Sequence, residues 1–407
     1  MPAPAAFPVR SAVALRDSPL DRAVHSVGPH NSLRDYLRGR SRSALFGLLA
    51  LCVSATSAAC SRSPTGDSDG SRLLVVSAAS DEILVLDAET GDPAGSVSVD
   101  ARPGEIDEPH GIAVDSARGL WYVTLAHGEP TLWKFDVRDD RLVGRLRLGS
   151  RGAARIGLTP DGTRAFIPSY WRGDSTPGTV TAVRLQDLTV VAQPSLCPAP
   201  HDARVSPDGE LVLVTCALGD EVLLLGAGTL EIRNRVAVGG EGSEATDSTP
   251  TSARPPRATP ERASAPARPM NAAWAPDGES AWVTLQGANE VIGLDRDGAI
   301  FARIPVGPSP LQISIDPSGR HAVVALRGAA AVSILDIEER VETRRISVPG
   351  AVHPHGVALS AAGDQAFVSY EGSVDVPGGV VALTVPEGEI LWRRSGGSYV
   401  LGIARDP

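Results

Sequence analysis

The chain ends Leu401-Gly-Ile-Ala-Arg-Asp-Pro407, and an early stretch reads Asp69-Gly-Ser-Arg-Leu-Leu-Val-Val-Ser77. Joined, they give GIARDP-DGSRLLVVS, the pattern of the internal segment ARVSPDGELVLVT at Ala203–Thr215. The last residues therefore read as the first strand of a repeat whose remainder begins near Asp69. A repeat divided between the two chain ends is how a ring of sheets closes on itself.

The small or acidic residue before each hairpin turn recurs at Asp115, Thr159, Ser206, Ala275, Asp316, Ser360 and Asp406. Most intervals are 41 to 47 residues, the period of propeller blades rather than of helical solenoids. Each unit repeats an apolar stretch, a turn such as Pro160-Asp-Gly162 or Pro207-Asp-Gly209, and a second apolar stretch. Asp and Gly supply the backbone freedom that tight β connections need.

The second stretches are predicted at Leu73–Ser77, Leu120–Leu125, Ala165–Tyr170, Leu211–Cys216, Ala281–Leu285, Ala322–Leu326 and Ala366–Tyr370. A third stretch (Glu82–Asp87, Glu290–Asp295) and a fourth toward the rim (Leu142–Leu148, Phe301–Val306) follow. The pattern predicts an all-β, seven-bladed β-propeller over 69–407, with four antiparallel strands per blade and the first blade closed by the C-terminal strand.

The runs Val-Thr-Leu at 123–125 and 283–285 and Val-Thr-Cys at 214–216, each followed by an Asp/Glu-Val-x-x-Leu type of strand, resemble the YVTN family of bacterial β-propeller repeats. Leu125, Cys216 and Leu285 stand where that family carries Asn. The resemblance implies the fold and leaves the reaction open, because members of one fold do unlike things.

Residues 1–59 read as an export segment. Arg38, Arg40 and Arg42 precede the apolar run Ala44–Ala55, which is short for a permanent membrane span. Its length before Arg38 suggests an overlong N-terminus. Ser57-Ala-Ala-Cys60 resembles a bacterial lipobox, which implies lipidation at Cys60 and attachment to a membrane, with 60–68 as a flexible polar tether. Ser61 after the cysteine favours the outer membrane in a diderm host. The expected location is the cell envelope, periplasm-facing or on the outer membrane, the alternative being simple secretion.

The formal net charge is -10, and no Lys/Arg stripe with interleaved aromatics appears, so nucleic acid is not an expected partner. Residues 239–269, rich in Ser, Thr, Pro, Ala and Gly, are predicted to be a disordered insertion within the ring.

Five residues before the turn register stand His110, His201 and His355, each after a proline, with Met270 in the fifth unit and Ala154, Leu311 and Leu401 in the others. The innermost strands begin there, so these side chains are expected at one mouth of the central channel. Three imidazoles and a thioether suit copper, and imidazoles alone suit zinc. The plainer expectation is that they cap strand ends through backbone carbonyls. His353 is expected on the opposite strand face or in the entrance loop, with a place as second ligand beside His355 as the alternative; His127 is expected in a solvent-exposed loop, with lining the same mouth as the alternative; and His321 is expected at a hairpin turn.

Asp202, Tyr170 and Trp171 are candidates for contacting a ligand, with packing between blades the plainer expectation for the two aromatics, while Glu105, Asp107 and Asp202 are weak acid/base candidates for which turn capping or solvation is the plainer expectation. Tyr370 also follows a second-strand core and is expected to pack between blades. Cys197 and Cys216 bracket the first strand of the fourth unit, and a symmetric hairpin about Asp208-Gly209 would set Cys216 opposite His201. Export would permit a Cys197–Cys216 disulfide, with separate thiols, or Cys216 joining the histidines, as alternatives. GxxxxGK[ST], HExxH and CxxCH motifs are absent. No catalytic residue is assigned and no cofactor is required. The expected function is an exported, envelope-associated scaffold that binds a protein or envelope ligand. The alternative is a periplasmic transition-metal oxidoreductase or metal carrier.

Overall fold

The computed structural model describes residues 70–171, 173, 176–239, 266–373 and 375–406. The export segment, Cys60, the tether and most of the predicted insertion lie outside these residues. Among the described residues the regular elements are strands, arranged as seven sheets.

The first sheet holds the decisive pairing. Strand β1 (Arg72–Ser77) lies between β2 (Glu82–Asp87) and the C-terminal β29 (Val400–Asp406), in the order β29-β1-β2 with β3 (Pro93–Ser98) outermost. The register runs Arg72↔Asp406, Leu73↔Arg405, Leu74↔Ala404 and Val75↔Ile403. Five further sheets repeat four antiparallel strands, and the third blade adds a short fifth strand, β12 (Ser195–Pro198), paired with β10 (Pro177–Arg184).

Both faces of each blade are apolar because both are covered. Leu74 and Val76 pack toward Trp121, Val123 and Trp133 of the second blade, whereas Leu73 and Val75 pack toward Phe367, Val380 and Ala382 of the seventh. Such a sandwich core recurs at every blade interface, with each buried Leu, Val or Phe contributing about 1.5–3 kcal/mol. That is why the strands read as continuous apolar runs rather than alternating ones.

A second device sews the blades together. In four of them a hydroxyl on the second strand accepts the N–H of its own inner strand and donates to an inner-strand carbonyl of the next blade. Thr124 takes the Gly111 N–H at 2.9 Å and gives to Ala154 O at 2.6 Å. Thr215 links Asp202 N to Met270 O, Thr284 links Asn271 N to Leu311 O, and Ser369 links Gly356 N to Leu401 O. These are the Thr of each Val-Thr pair and its Ser counterpart.

Two local expectations are corrected. The second strand of the third blade ends at Pro168 instead of Tyr170, since Ser169 turns to a single bridge with Ala153. In the fourth blade Cys216 faces Pro200 rather than His201, because the register shifts between Pro200 and Asp202. The described residues resume at 266, where Ala267 already accepts the Gly287 N–H and Pro269 opens a strand.

Candidate functional site at the channel mouth

The inner strands start on one face, and the local backbone there is nearly sevenfold. Tyr399, Glu108, Gly152, Ala199, Arg268, Ser309 and His353 precede the seven inner segments with φ between +50° and +63°. Six of them are not glycine, and a left-handed non-glycine residue persists only when its surroundings hold it there. The hold is visible: each carbonyl accepts the N–H of the residue just past the second strand, namely Ala78, Ala126, Tyr170, Ala217, Gln286, Arg327 and Glu371.

Directly after this turn the inner strand bulges. The register shifts between Pro109 and Ile112, Pro200 and Asp202, Pro269 and Ala272, Pro310 and Ile313, and Pro354 and Val357. A bulge re-aims side chains, and the bulged residues are His110, His201, Met270, Leu311 and His355. The symmetric-hairpin expectation missed this step.

His110 is the centre of an imidazole arc. Its ring centroid lies 6.1 Å from that of His201 and 5.9 Å from that of His355, edge to face in both cases. Ring closure sets this spacing: a Cβ on Gly402 would lie 2.6 Å from the His110 carbonyl, and one on Gly356 would lie 2.7 Å from the Leu401 carbonyl. Glycine is required at both close approaches.

His201 Nδ1 lies 2.9 Å from Met270 O, which makes Nδ1 the protonated nitrogen and Nε2 the lone pair. His110 Nε2 and His355 Nδ1 are sealed from solvent without a hydrogen-bond partner. Burial pushes the His110 and His201 imidazoles down to about 4, and His355 also well below its ordinary value. All three are neutral at neutral pH.

Met270 and Leu311 form the opposite, apolar arc with Ala217, and Tyr170 packs against it. The Tyr170 ring also stands edge-on to His201 at 4.7 Å. Trp171 sits further out, under the Arg151 guanidinium at 5.4 Å. Tyr370 is fully buried within the seventh blade, its hydroxyl beside Arg394 O and Ser395, so it lines no mouth.

Asp202 is completely buried and accepts from Ala203 N, Arg204 Nε, Asn271 Nδ2 and Ala272 N at 3.0–3.1 Å. Burial alone would raise its carboxyl, but Arg204 and Arg155 hold it below the usual range. Its contacts join the fourth blade to the fifth. Asp107 and Glu105 both engage Arg102, at 2.8 and 2.7 Å, on the connection between the first two blades. Cys197 and Cys216 are joined as a disulfide with Cα atoms 5.9 Å apart, which takes Cys216 out of any ligand set.

Ion pairs stand beside the starts of the inner strands. Glu371 is gripped by Arg327 through two bonds of 2.7 and 2.9 Å, with His353 at 3.5 Å. Burial by itself would raise the Glu371 carboxyl, but Arg327 and His353 hold it at about 2. His127 Nε2 meets Glu108 at 2.6 Å, and that bond raises the imidazole. His321 instead pairs with Asp316 at its hairpin turn, 3.1 Å away.

Arg155 was missed by sequence reasoning. Four residues before the turn register the units carry Gly111, Arg155, Asp202, Asn271, Gln312, Gly356 and Gly402, so a single cation at a channel position was the available signal. Its side chain is 5% exposed and acts through its field on all three imidazoles.

For metal binding, the imidazole nitrogens are not close enough as they stand. Among the described residues only Asp81, Asp100 and Asp107 bring three ligand atoms within 4.8 Å of one another, and Asp107 there already holds Arg102.

The fold and its channel define a seven-bladed β-propeller closed by its own C-terminal strand. No family model matches the chain. One curated relative, the uncharacterized protein YncE of Salmonella typhimurium, is 33% identical over 93 residues, which span 23% of this chain and 26% of that protein. The chain thus matches about a quarter of the relative's length. Among solved structures, a functionally unknown protein from Desulfotomaculum acetoxidans superposes with a TM-score of 0.59 at 16% identity, covering 81% of this chain and 99% of that one. Kuenenia stuttgartiensis hydrazine synthase superposes with a TM-score of 0.62 at 16% identity, covering 78% and 93%. At such identity the likeness shows the fold alone.

Proposed function

We propose that this protein is an exported, envelope-attached propeller that binds a protein or small ligand through the face where its inner strands begin. The observation that carries the reading is the convergence there of sealed, unpartnered imidazole nitrogens on His110 and His355, beside an apolar arc. Elsewhere buried polar groups are mostly paired, and such exceptions concentrate at functional sites. A rigid ring presents its loops at fixed separations, so several weak contacts can add without ordering a new element. Export is supported by the Arg-flanked apolar run before Cys60 and by a disulfide suited to an oxidising compartment.

Photo-crosslinking in the native host tests the face. A crosslinker at Ser309 on the mouth is expected to capture a partner or ligand-dependent contact, and one at Ser318, in the hairpin turn at the far end of the same blade, is not. Equal capture from both positions contradicts the proposal. Cys60→Ala should move the protein from the membrane to the soluble fraction, and a wild-type protein found wholly in the cytoplasm contradicts export.

Three neutral imidazoles also favour a second reading, a copper or zinc site using His110, His201, His355 and Met270, for redox work or metal carriage. It requires the rings to draw together on the ion. Stoichiometric copper or zinc in protein purified without chelators, lost in the triple histidine-to-alanine variant, is its expected result.

A further inference from the structure

Arg155 is buried where the chain's other inward-reaching arginines are only partly so. Arg72, Arg102, Arg204 and Arg327 each hold a carboxylate at 2.7–3.0 Å. Arg155 is more buried than any of them, yet its guanidinium hydrogen-bonds to none of the described residues. The carboxylate whose field acts on it is Asp202, whose oxygens are already occupied by Ala203, Arg204, Asn271 and Ala272. Arg204 meanwhile repels it. A guanidinium remains protonated at neutral pH even when burial pulls it down to about 9. Its nitrogens are not among the sealed, unpartnered atoms, and a charge this deep is costly unless water or a ligand satisfies it.

The surroundings specify what would. His110 Nε2 and His355 Nδ1 are sealed and lack partners, so a ligand reaches the other nitrogen of each ring, and a neutral imidazole with its lone pair on the sealed atom carries its proton on the other. His110 Nδ1 and His355 Nε2 are therefore the N–H donors. One uncompensated positive charge calls for one negative charge, since a dianion would leave a buried excess. A metal cation would be set against Arg155 at low dielectric. Met270, Leu311 and Tyr170 form an apolar wall beside the charged part, which requires carbon on the ligand.

We propose that the channel binds the carboxylate of a small organic monoanion, with Arg155 as counter-ion, His110 and His355 as N–H donors, and the Met270–Leu311 arc against its apolar tail. The inference rests on the mouth face being the binding face and names its ligand class.

The test uses purified protein dialysed free of metal. Thermal unfolding is followed against sodium butyrate at constant ionic strength, with chloride and phosphate as parallel arms. The midpoint should climb with the logarithm of butyrate concentration, as linkage requires, and not with chloride or phosphate. Arg155→Gln should raise the half-saturating butyrate concentration at least about tenfold. Its ligand-free midpoint should equal or exceed that of the wild type, because an unpaired buried charge is gone. A wild-type protein indifferent to butyrate, an equal response to phosphate, or an unchanged response in Arg155→Gln overturns the proposal.

If Arg155→Gln fails to fold, nitrogen-15 spectra of wild-type histidines decide: the His110 and His355 ring signals must move on butyrate addition, and unmoved signals overturn it. Stoichiometric metal on the three histidines of the native protein would also overturn it. Failure of the butyrate arm leaves the crosslinking result at Ser309 standing, so the ligand class and the binding face fail separately.

Discussion

Arg72 and Asp406 stand 334 residues apart in sequence and meet across the closing strand pair, with Nη2 2.8 Å and Nε 3.2 Å from one carboxylate oxygen. The same guanidinium reaches Asp140 at 2.9 Å and Val137 O at 2.8 Å in the second blade. One side chain thus ties β1 and the C-terminal β29 to the neighbouring sheet.

Arg72→Met should destabilise the protein by about 1–3 kcal/mol, a partly buried network lying between the surface and core limits for ion pairs. The measurement is the urea midpoint. Arg184→Ala, which breaks an exposed pair with Asp187, should leave that midpoint unchanged. Equal effects of the two substitutions would show that Arg72 does not brace the closure.

How much of this was legible beforehand follows from which signals are local. The split repeat at Leu401–Pro407 and Asp69–Ser77, the turns and the blade count are written in apolar spacing, and strands such as Glu82–Asp87 and Glu290–Asp295 fall where that spacing puts them. The bulge that sets Cys216 against Pro200 is not local, because it depends on how far each inner strand must turn to meet the next. Arg155 was invisible for a related reason: its importance comes from what fails to pair with it, and pairing is a property of the assembled channel. The threonines of Val-Thr carried a family resemblance, but their role as latches appears only when the carbonyl of the next blade is in place.

Those latches give a second prediction. Thr284→Val removes the acceptor of Asn271 N–H and the donor to Leu311 O, leaving two buried groups unmet, at a cost of about 1–3 kcal/mol. Differential calorimetry of the variant should show a lower midpoint with the strand content intact. An unchanged midpoint would remove the hydroxyls from the account of blade cohesion.

Reduction of Cys197–Cys216 opens a loop spanning a sequence separation of 19, worth about 3 kcal/mol in the chain-entropy description. The double serine variant should lose stability to a similar extent, and non-reducing peptide mapping of the native protein should recover the linked pair. Free thiols at both positions in freshly prepared protein would contradict the bond.

The buried imidazoles predict an acid-side loss of stability in metal-free protein. His110 and His201 titrate near 4 when folded and near their ordinary 6.5 when unfolded, and His355 is shifted the same way. Between these values the unfolded chain binds protons that the folded chain refuses, so stability is full above about pH 6.5 and falls as the pH drops toward 4. The pair of His127 with Glu108 acts with the opposite sign, since the raised imidazole stabilises at low pH and the gain is lost as the pH rises through its folded value. Urea midpoints at pH 7.5 and 4.5 should therefore differ strongly in the wild type and much less in a triple histidine-to-glutamine variant. Equal pH sensitivity in both would place the effect elsewhere.

The imidazole arc exists because the last strand sits between the seventh and second blades, with Gly402 against His110 and Leu401 against Gly356. Native-state amide hydrogen exchange tests this closure directly. The paired amides of Val400–Asp406 should exchange as slowly as those of Leu73–Val76, and with the same dependence on denaturant, as one cooperative unit. Exchange of Val400–Asp406 at the rate of an unstructured tail, while Leu73–Val76 stays protected, would contradict it.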